Sequence, residues 1–281
     1  MMCHIGEEIQ KSTGAIALKD PAPSILDLCA APGGFMATAL RHNKDARICG
    51  ISLPKDLGGH PLLVPKWKTD PRVTVNFLDI TMLGTEFGME SCSGLTPTLS
   101  SYRPYHGRFF DLVFCDGQVL RTHAQYRDEK RESLEAPRLS CSQMILALQR
   151  LRQGGTLIML MHKVESWHTL QTLRAFSSFA TVQLHKPHKY HTTRGSFYLV
   201  ATNVQPASPA ANAAISTWKA MWREATVGTP NLDQQDCAAF LSPDSESEGN
   251  KFLEEFGDQV IRLGEPVWDV QRIALAKKSW N

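Results

Sequence analysis

The sequence predicts an α/β fold, an open sheet with helices on both faces and a helical extension at the C-terminus. Two observations lead to it. Short apolar runs recur at 25–28, 46–53, 73–80, 109–117 and 156–161, and helical stretches at 139–151 and 167–179 flank the last of them. The first run, Ile25 to Leu28, breaks into Ala30-Ala31-Pro32-Gly33-Gly34 and leads into a helix-forming Met36–Leu40. Strand, glycine turn and helix is how an open α/β sheet presents a nucleotide-like ligand at the carboxyl end of a strand. Glycine lets the backbone approach a ligand without a Cβ in the way. The dinucleotide fingerprint Gly-x-Gly-x-x-Gly is absent, which disfavours NAD.

Composition sets outer limits. A chain of 281 residues holds one large α/β domain plus an appendage. With 42% hydrophobic and 21% charged residues it has enough apolar material for a real core. The formal net charge of +2 means that any nucleic-acid binding comes from a local patch rather than from the whole molecule's field. The seven cysteines are dispersed, and no pair has Cys-x-x-Cys spacing. That argues against a cysteine-built zinc or redox motif and for a reducing compartment, cytoplasmic or nuclear. No apolar run is long enough to span a bilayer and the N-terminus has no signal-peptide core, so no membrane association is expected.

Taken in order, residues 5–10 read as a helix, followed by a loop through Gly14 and Pro21. Ile25–Leu28 and Ala46–Leu53 are the first two strands. The second ends in Ile51-Ser52-Leu53, without the acidic residue that often accepts from ribose hydroxyls at this place. The loop 54–65 is irregular, and His60 reads as a loop residue. Val73–Ile80 alternates as a third strand, with Asp79 at its end as either a ligand acceptor or a helix N-cap. Residues 84–107, rich in Gly, Ser, Thr and Pro, read as a long inserted loop.

Phe109–Gly117 is a strongly apolar strand ending in Asp-Gly. Asp111 reads as a structural cap, whereas Asp116 is a carboxylate that a buried strand would expel unless it faced a cleft. Residues 118–131 are basic, with Tyr126 among Arg121, Arg127 and Lys130, which suits either phosphate contact with base stacking or a solvated helix face. A helix over 139–151 is stopped by Gly154-Gly155, Thr156–Met161 is a buried strand followed by His162-Lys163, and 167–179 is the next helix. Val182–Tyr190 and Phe197–Thr202 pair around a basic turn that holds Lys186, Lys189 and Arg194. Its histidines, His185, His188 and His191, lack the spacing of a common zinc site, and no metal is expected. Beyond Gln205 come a Pro206–Ala210 linker, a helix over 213–225, an acidic mobile stretch over 242–250, and a helix over 252–279 with Trp268 and Ile273 on its apolar face. The boundary falls between a domain at 1–204 and an extension at 205–281.

Two of these segments carry a family resemblance. Asp27-Leu28-Cys29-Ala30-Ala31-Pro32-Gly33-Gly34-Phe35 closely resembles the first motif of the FtsJ-type RNA 2′-O-methyltransferases, and Phe109–Gly117 resembles their fourth. The resemblance spans roughly 20–203. It implies a Rossmann-like methyltransferase sheet and S-adenosylmethionine as cofactor, held by Asp27, Cys29, Ala30, Ala31, Pro32, Gly33, Gly34, Phe35, Asp79, Ile80 and Asp116. It also implies RNA methylation, with Asp116 between methyl donor and acceptor. The family's Lys-Asp-Lys-Glu set is incomplete here. The first lysine has no match, since neither Lys11 nor Lys19 sits where the motif places it. Leu160 stands at the second lysine and Ser196 at the glutamate, which leaves Lys163 as the nearest substitute base if the chain bends after Met161. Three readings follow: a divergent RNA 2′-O-methyltransferase using Asp116 and Lys163, a methyltransferase of a small-molecule acceptor, and a cofactor- or RNA-binding protein without turnover.

Overall fold

The computed structural model describes residues 1–89, 99–119, 134–227, 243 and 245–278. The basic segment beyond residue 119, the middle of the 84–107 loop and the first part of the acidic 242–250 stretch lie outside the described residues.

Seven strands form one sheet in the order β3-β2-β1-β4-β5-β7-β6. They are β1 (Ser24–Leu28), β2 (Arg47–Ser52), β3 (Val73–Phe77), β4 (Phe110–Cys115), β5 (Leu151–His162), β6 (Thr181–His185) and β7 (Ser196–Val204). The first five pair in parallel, while β7 runs antiparallel between β5 and β6. Because both faces are covered, the strands are apolar on both sides rather than alternating with polar residues. Ile25, Leu112 and Phe114 pack on one face with Ile5 and Ile9 of α1 (Met2–Thr13) and Phe35 and Met36 of α2 (Gly34–His42). Leu26, Leu28, Val113 and Cys115 pack on the other, against Met144, Ile145 and Leu148 of α3 (Glu135–Arg150) and Leu173 and Phe176 of α4 (Trp167–Ser177).

The extension joins this second face. A short turn, with Gln205 N donating to Phe179 O, leads directly into α5 (Pro209–Val227). There Trp222 stacks edge-on to Phe87 and its Nε1 donates to Thr81 O at 3.0 Å. Helix α6 (Glu246–Ala276) lays Phe252 against Trp167 of α4, with ring centroids 4.9 Å apart. The long loop after β3 is pinned by the fully buried Glu86, which pairs with Arg150 at 2.7 Å and Arg103 at 3.2 Å.

Four expectations need correction. Gly154-Gly155 do not end α3. The helix stops at Arg150 and β5 starts at Leu151, so the glycines lie inside the strand, where the pairing with β7 shifts register. The acidic stretch is helical from Glu246, because Ser245 Oγ accepts from Glu248 N and the two glutamates in the first turn suit the positive end of the helix. Ile273 is 46% exposed rather than on a packed face. The irregular loop after β2 contains a 3₁₀ turn, Lys55–Leu57. Among the described residues no helix is long and apolar enough to cross a membrane, and the described cysteines are free thiols.

Candidate active site

The sheet order reverses between β1 and β4, and the crevice outside their carboxyl ends is where an open α/β sheet binds ligands. The residues singled out from the sequence converge there. Asp27, next to last in β1, has its side chain buried and accepts from the backbone N–H of Met36 in α2. The chain then turns through Cys29, held at φ 65, and Ala30, whose N–H donates to Ile51 O of β2 at 2.8 Å. Gly33, at φ 102, caps α2 from the left-handed region that glycine tolerates best. Gly117, just past β4, lies so close to Cys29 that a Cβ there would sit 2.6 Å from the Cys29 sulfur.

Three carboxylates surround this turn. Asp27, Asp79 and Asp116 all push up the thiol pKa of Cys29, after burial itself. Burial, and then the neighbouring Asp116, hold the Asp27 carboxyl well above the usual carboxylate range. Asp116 is pushed up to about 7 by burial, against a lowering hydrogen bond from Tyr198. Tyr198, buried on β7, donates its hydroxyl to Asp116 Oδ1 at 3.1 Å, and burial beside that carboxylate raises the phenol strongly. A cluster of acids under desolvation favours a cationic ligand, because a positive charge relieves both burdens at once. On that ground the donor set fits S-adenosylmethionine, whose reactive centre is a sulfonium.

The remaining sequence candidates divide by environment. Asp79 Oδ1 accepts from both Thr81 N (2.9 Å) and Thr81 Oγ1 (2.7 Å), so it caps the 3₁₀ turn Ile80–Met82 while its other oxygen carries no such bond. The side chain of Ile80 is buried in the core with Leu83, which leaves its backbone for a ligand. Phe35 is also core. Its ring stacks on Phe114 at 4.9 Å and meets Tyr198 edge-on at 5.6 Å, joining the glycine turn to the Asp116 hydrogen bond. Ala30 is buried, Ala31 half-buried and Pro32 exposed, with Pro32 O accepting from Leu63 N at 2.9 Å.

That last bond marks a feature with no signal in the sequence pattern. The loop after β2 folds back over the glycine turn, so a Cβ on Gly33 would collide with Val64 Cγ2 and come within 3.0 Å of Leu62 Cδ1. Gly34 is roofed the same way by α1, with Cys3 N 2.9 Å from where its Cβ would stand. The two glycines are therefore required for close approach of the chain to itself, beside whatever ligand they serve. Gln143 of α3 was also missed. Its buried amide accepts from Gly117 N at 2.8 Å and donates to Gly117 O at 3.4 Å, fixing the backbone just after Asp116. Only the phase of α3 could have hinted at it, since Gln143 lies among its apolar positions.

At the family's lysine position, Leu160 is buried in one apolar cluster with Phe35, Phe114 and Tyr198. The register that pairs Cys115 with Met159 and Leu160 with Tyr198 puts Asp116, Leu160 and Tyr198 in one row across the sheet. β5 stays paired through His162, so the bend comes at Lys163, one residue later than the sequence argument required. Lys163 is exposed, held at φ 49, and its N–H donates to Gly195 O at 2.8 Å. Asp111 is structural in its bonds, accepting from Ser24 N and pairing with Arg152.

Residues 7–204 match the FtsJ-like methyltransferase family, more than half of the chain. The chain belongs to that family, and it is an S-adenosylmethionine-dependent methyltransferase. Among solved structures it is similar to a Plasmodium falciparum protein assigned as a ribosomal RNA methyltransferase, at 18% identity, TM-score 0.48, covering 72% of this chain and 96% of that one. It is also similar to an rRNA methylase from Streptococcus thermophilus, at 12% identity, TM-score 0.42 and coverage of 70% and 97%. A third is the N-methyltransferase NodS of Bradyrhizobium japonicum, at 14% identity, TM-score 0.42 and coverage of 71% and 96%. No curated protein matches the chain.

Proposed function

We propose that this chain methylates the ribose 2′-hydroxyl of an RNA, with Asp116 as the group that handles the hydroxyl proton. The observation that carries the reading is Asp116 itself: a carboxylate at the end of β4, beside the glycine turn, held by Tyr198 and raised to about 7. Bound S-adenosylmethionine supplies an electrophilic methyl group on a positively charged sulfur. A ribose hydroxyl is a poor nucleophile, and a base whose pKa lies near the working pH would be best placed to take its proton as the new C–O bond forms and the methyl–sulfur bond breaks, its electron pair leaving on the neutral thioether. Asp116 accepts the hydroxyl's hydrogen bond and then its proton. Tyr198 holds the carboxylate in orientation, and Gln143 fixes the backbone behind it. Asp27 and Asp79 take their places against the cofactor. The buried floor of Leu160, Phe114 and Tyr198 keeps water from the acceptor oxygen. Much of the acceleration comes from holding that oxygen in line with the methyl carbon.

Lys163 is proposed as a supporting charge at the mouth of this row. Its side chain lies against Gly195, next to Ser196 of β7, which supports placement at the acceptor end and not at the carboxylate. RNA is favoured over a small acceptor by the basic groups gathered there: His162, Lys163, Lys186, His191 and Arg194. The test is incubation with methyl-labelled S-adenosylmethionine and RNA or metabolite pools, followed by nucleoside analysis. Label recovered in 2′-O-methyl nucleosides supports the proposal. Label recovered only in small metabolites, or only on bases, refutes it.

A further inference from the structure

We propose that the turn between β6 and β7, together with the end of β5, is an oxyanion subsite that holds a phosphate of the methyl acceptor one strand step beyond Asp116. The inference rests on the acceptor reading above and adds to it the group by which the acceptor is gripped.

The placement follows from register. Leu160 pairs with Tyr198 in the row that contains Asp116, and His162 pairs with Ser196 two residues further on. Alternate residues of a strand share a face, so His162 and Ser196 stand on the same face as Leu160 and Tyr198, about 7 Å along the strands. The side chain of Ser196 is buried, yet its Oγ has no hydrogen-bond partner. A buried hydroxyl without a partner costs free energy that a ligand oxygen would recover.

Basic side chains surround that hydroxyl. Lys186 is 2% exposed and donates from Nζ to Ser196 O at 2.7 Å and to Arg194 O, so a buried ammonium pulls the turn closed around the position. His191 is tied to the same turn, its carbonyl accepting from Arg194 N at 3.0 Å. These groups stand near enough to act on one another. The pKa of His162 is lowered by burial and then by His191 and Lys186, and that of His191 by burial and then by Arg194 and Lys186. None of these influences comes from a carboxylate. Glu8 is engaged at the outer flank, accepting from His188 N at 2.7 Å. A buried ammonium and a guanidinium, with two imidazoles that burial and these neighbours hold toward the neutral form, are arranged around an unpartnered hydroxyl donor, and an oxyanion there accepts from the hydroxyl and favours protonation of the imidazoles.

Two titrations on one preparation test this. The first measures binding of a labelled single-stranded RNA oligonucleotide across a salt series. The second measures S-adenosylmethionine affinity by calorimetry. The double variant His191→Gln/Arg194→Gln leaves the buried Lys186 in place, which keeps the fold. It is expected to weaken RNA at least about tenfold and to make the log–log salt slope shallower by about one, with cofactor affinity unchanged. Ser196→Ala alone is expected to weaken RNA about threefold. Competition by inorganic phosphate and by a nucleoside 5′-monophosphate, lost in the double variant, would assign the subsite to a terminal phosphate. Absence of such competition together with the RNA loss would assign it to an internal phosphodiester. Unchanged RNA affinity and salt slope in the double variant would overturn the subsite and leave the methyltransferase reading standing. A wild-type chain that binds RNA but no S-adenosylmethionine would instead overturn the reading on which the subsite rests.

Discussion

Replacing Tyr198 by Phe removes one oxygen and keeps the ring in place against Phe35, 5.6 Å away. What is lost is the hydroxyl that donates to Asp116 at 3.1 Å. A hydrogen bond to a charged group is worth about 1.5–3 kcal/mol, and one pKa unit corresponds to about 1.4 kcal/mol. Asp116 therefore climbs by about one to two units from its value of about 7 in the variant. At pH 7 its ionised fraction falls from about a half to between about a tenth and about a hundredth. If the carboxylate is the working form, the methylation rate falls about five- to fiftyfold at pH 7 and recovers toward wild type near about pH 9. The assay is a pH–rate profile for both proteins at cofactor concentrations well below saturation, where the acid limb reports the cofactor-free enzyme. An acid limb that does not move in Tyr198→Phe would refute the proton-handling role. A loss equal at every pH would mean that Tyr198 acts on packing or on the acceptor instead.

Three further outcomes are expected. Burial favours the protonated form of Asp116, so between about pH 4 and 7 the native chain keeps a proton that the unfolded chain has lost, and stability falls as pH rises through that window. Asp116→Asn removes this loss. It should abolish methylation while unfolding at a higher temperature than wild type at pH 8, through a stabilisation of at most about 4 kcal/mol and less where solvent reaches the cleft, with little difference at pH 4. Lys163→Ala should lower the methylation rate about three- to tenfold through weaker acceptor binding, with cofactor affinity and the acid limb of the pH profile intact, and full activity would return that lysine to the solvent. Leu160→Lys sets a cation beside Asp116 and should move the acid limb of the wild-type pH profile down by about one to three units; a limb that stays put would show that the two side chains do not meet across the row.

The strands, the glycine turn and the C-terminal position of Asp116 were legible because they depend on local apolar runs and on breaks that only Gly and Pro make. The site's support was not, because it comes from residues distant in sequence. Tyr198 reaches Asp116 across two strands, and only the pairing of Leu160 with Tyr198 makes that reach evident. Gln143 lies on an apolar helix face whose own composition gives no reason for an amide. Val64 and Leu62 belong to a loop without periodicity, yet they close over Gly33. The helix boundary at Arg150 was misread for a related reason. Gly154-Gly155 has the composition of a stop, but Arg150 is buried with its guanidinium on Glu86, and that long-range ion pair fixes the helix end. Asp79 shows the opposite case. Of its two readings from the sequence, helix cap or ligand acceptor, the structure shows the cap, and the bonds to Thr81 occupy one oxygen without using the other.

The departures from the family's lysine and glutamate positions bear on a single quantity. A lysine at 160 would stand beside Asp116 and hold its carboxylate ionised, as an opposite charge within a few ångströms does. With leucine there, and with Ser196 in place of a second acid, the row offers Asp116 burial and one phenol hydroxyl, and its pKa rises to about 7. A carboxylate held low is a poor base at neutral pH, whereas one near 7 is matched to the task. The substitution that removes the expected base thus gives the retained acid a base's titration range. The charge missing from the floor of the row reappears one step further out, in Lys186 and Arg194, with His162 and His191 beside them as imidazoles that an anion would help to protonate; in the proposed subsite these groups hold the acceptor and leave its proton to Asp116. Under the proposed reading, separating grip from proton transfer in this way would let the cleft beside Asp116 stay largely apolar while the acceptor is held by charge further out.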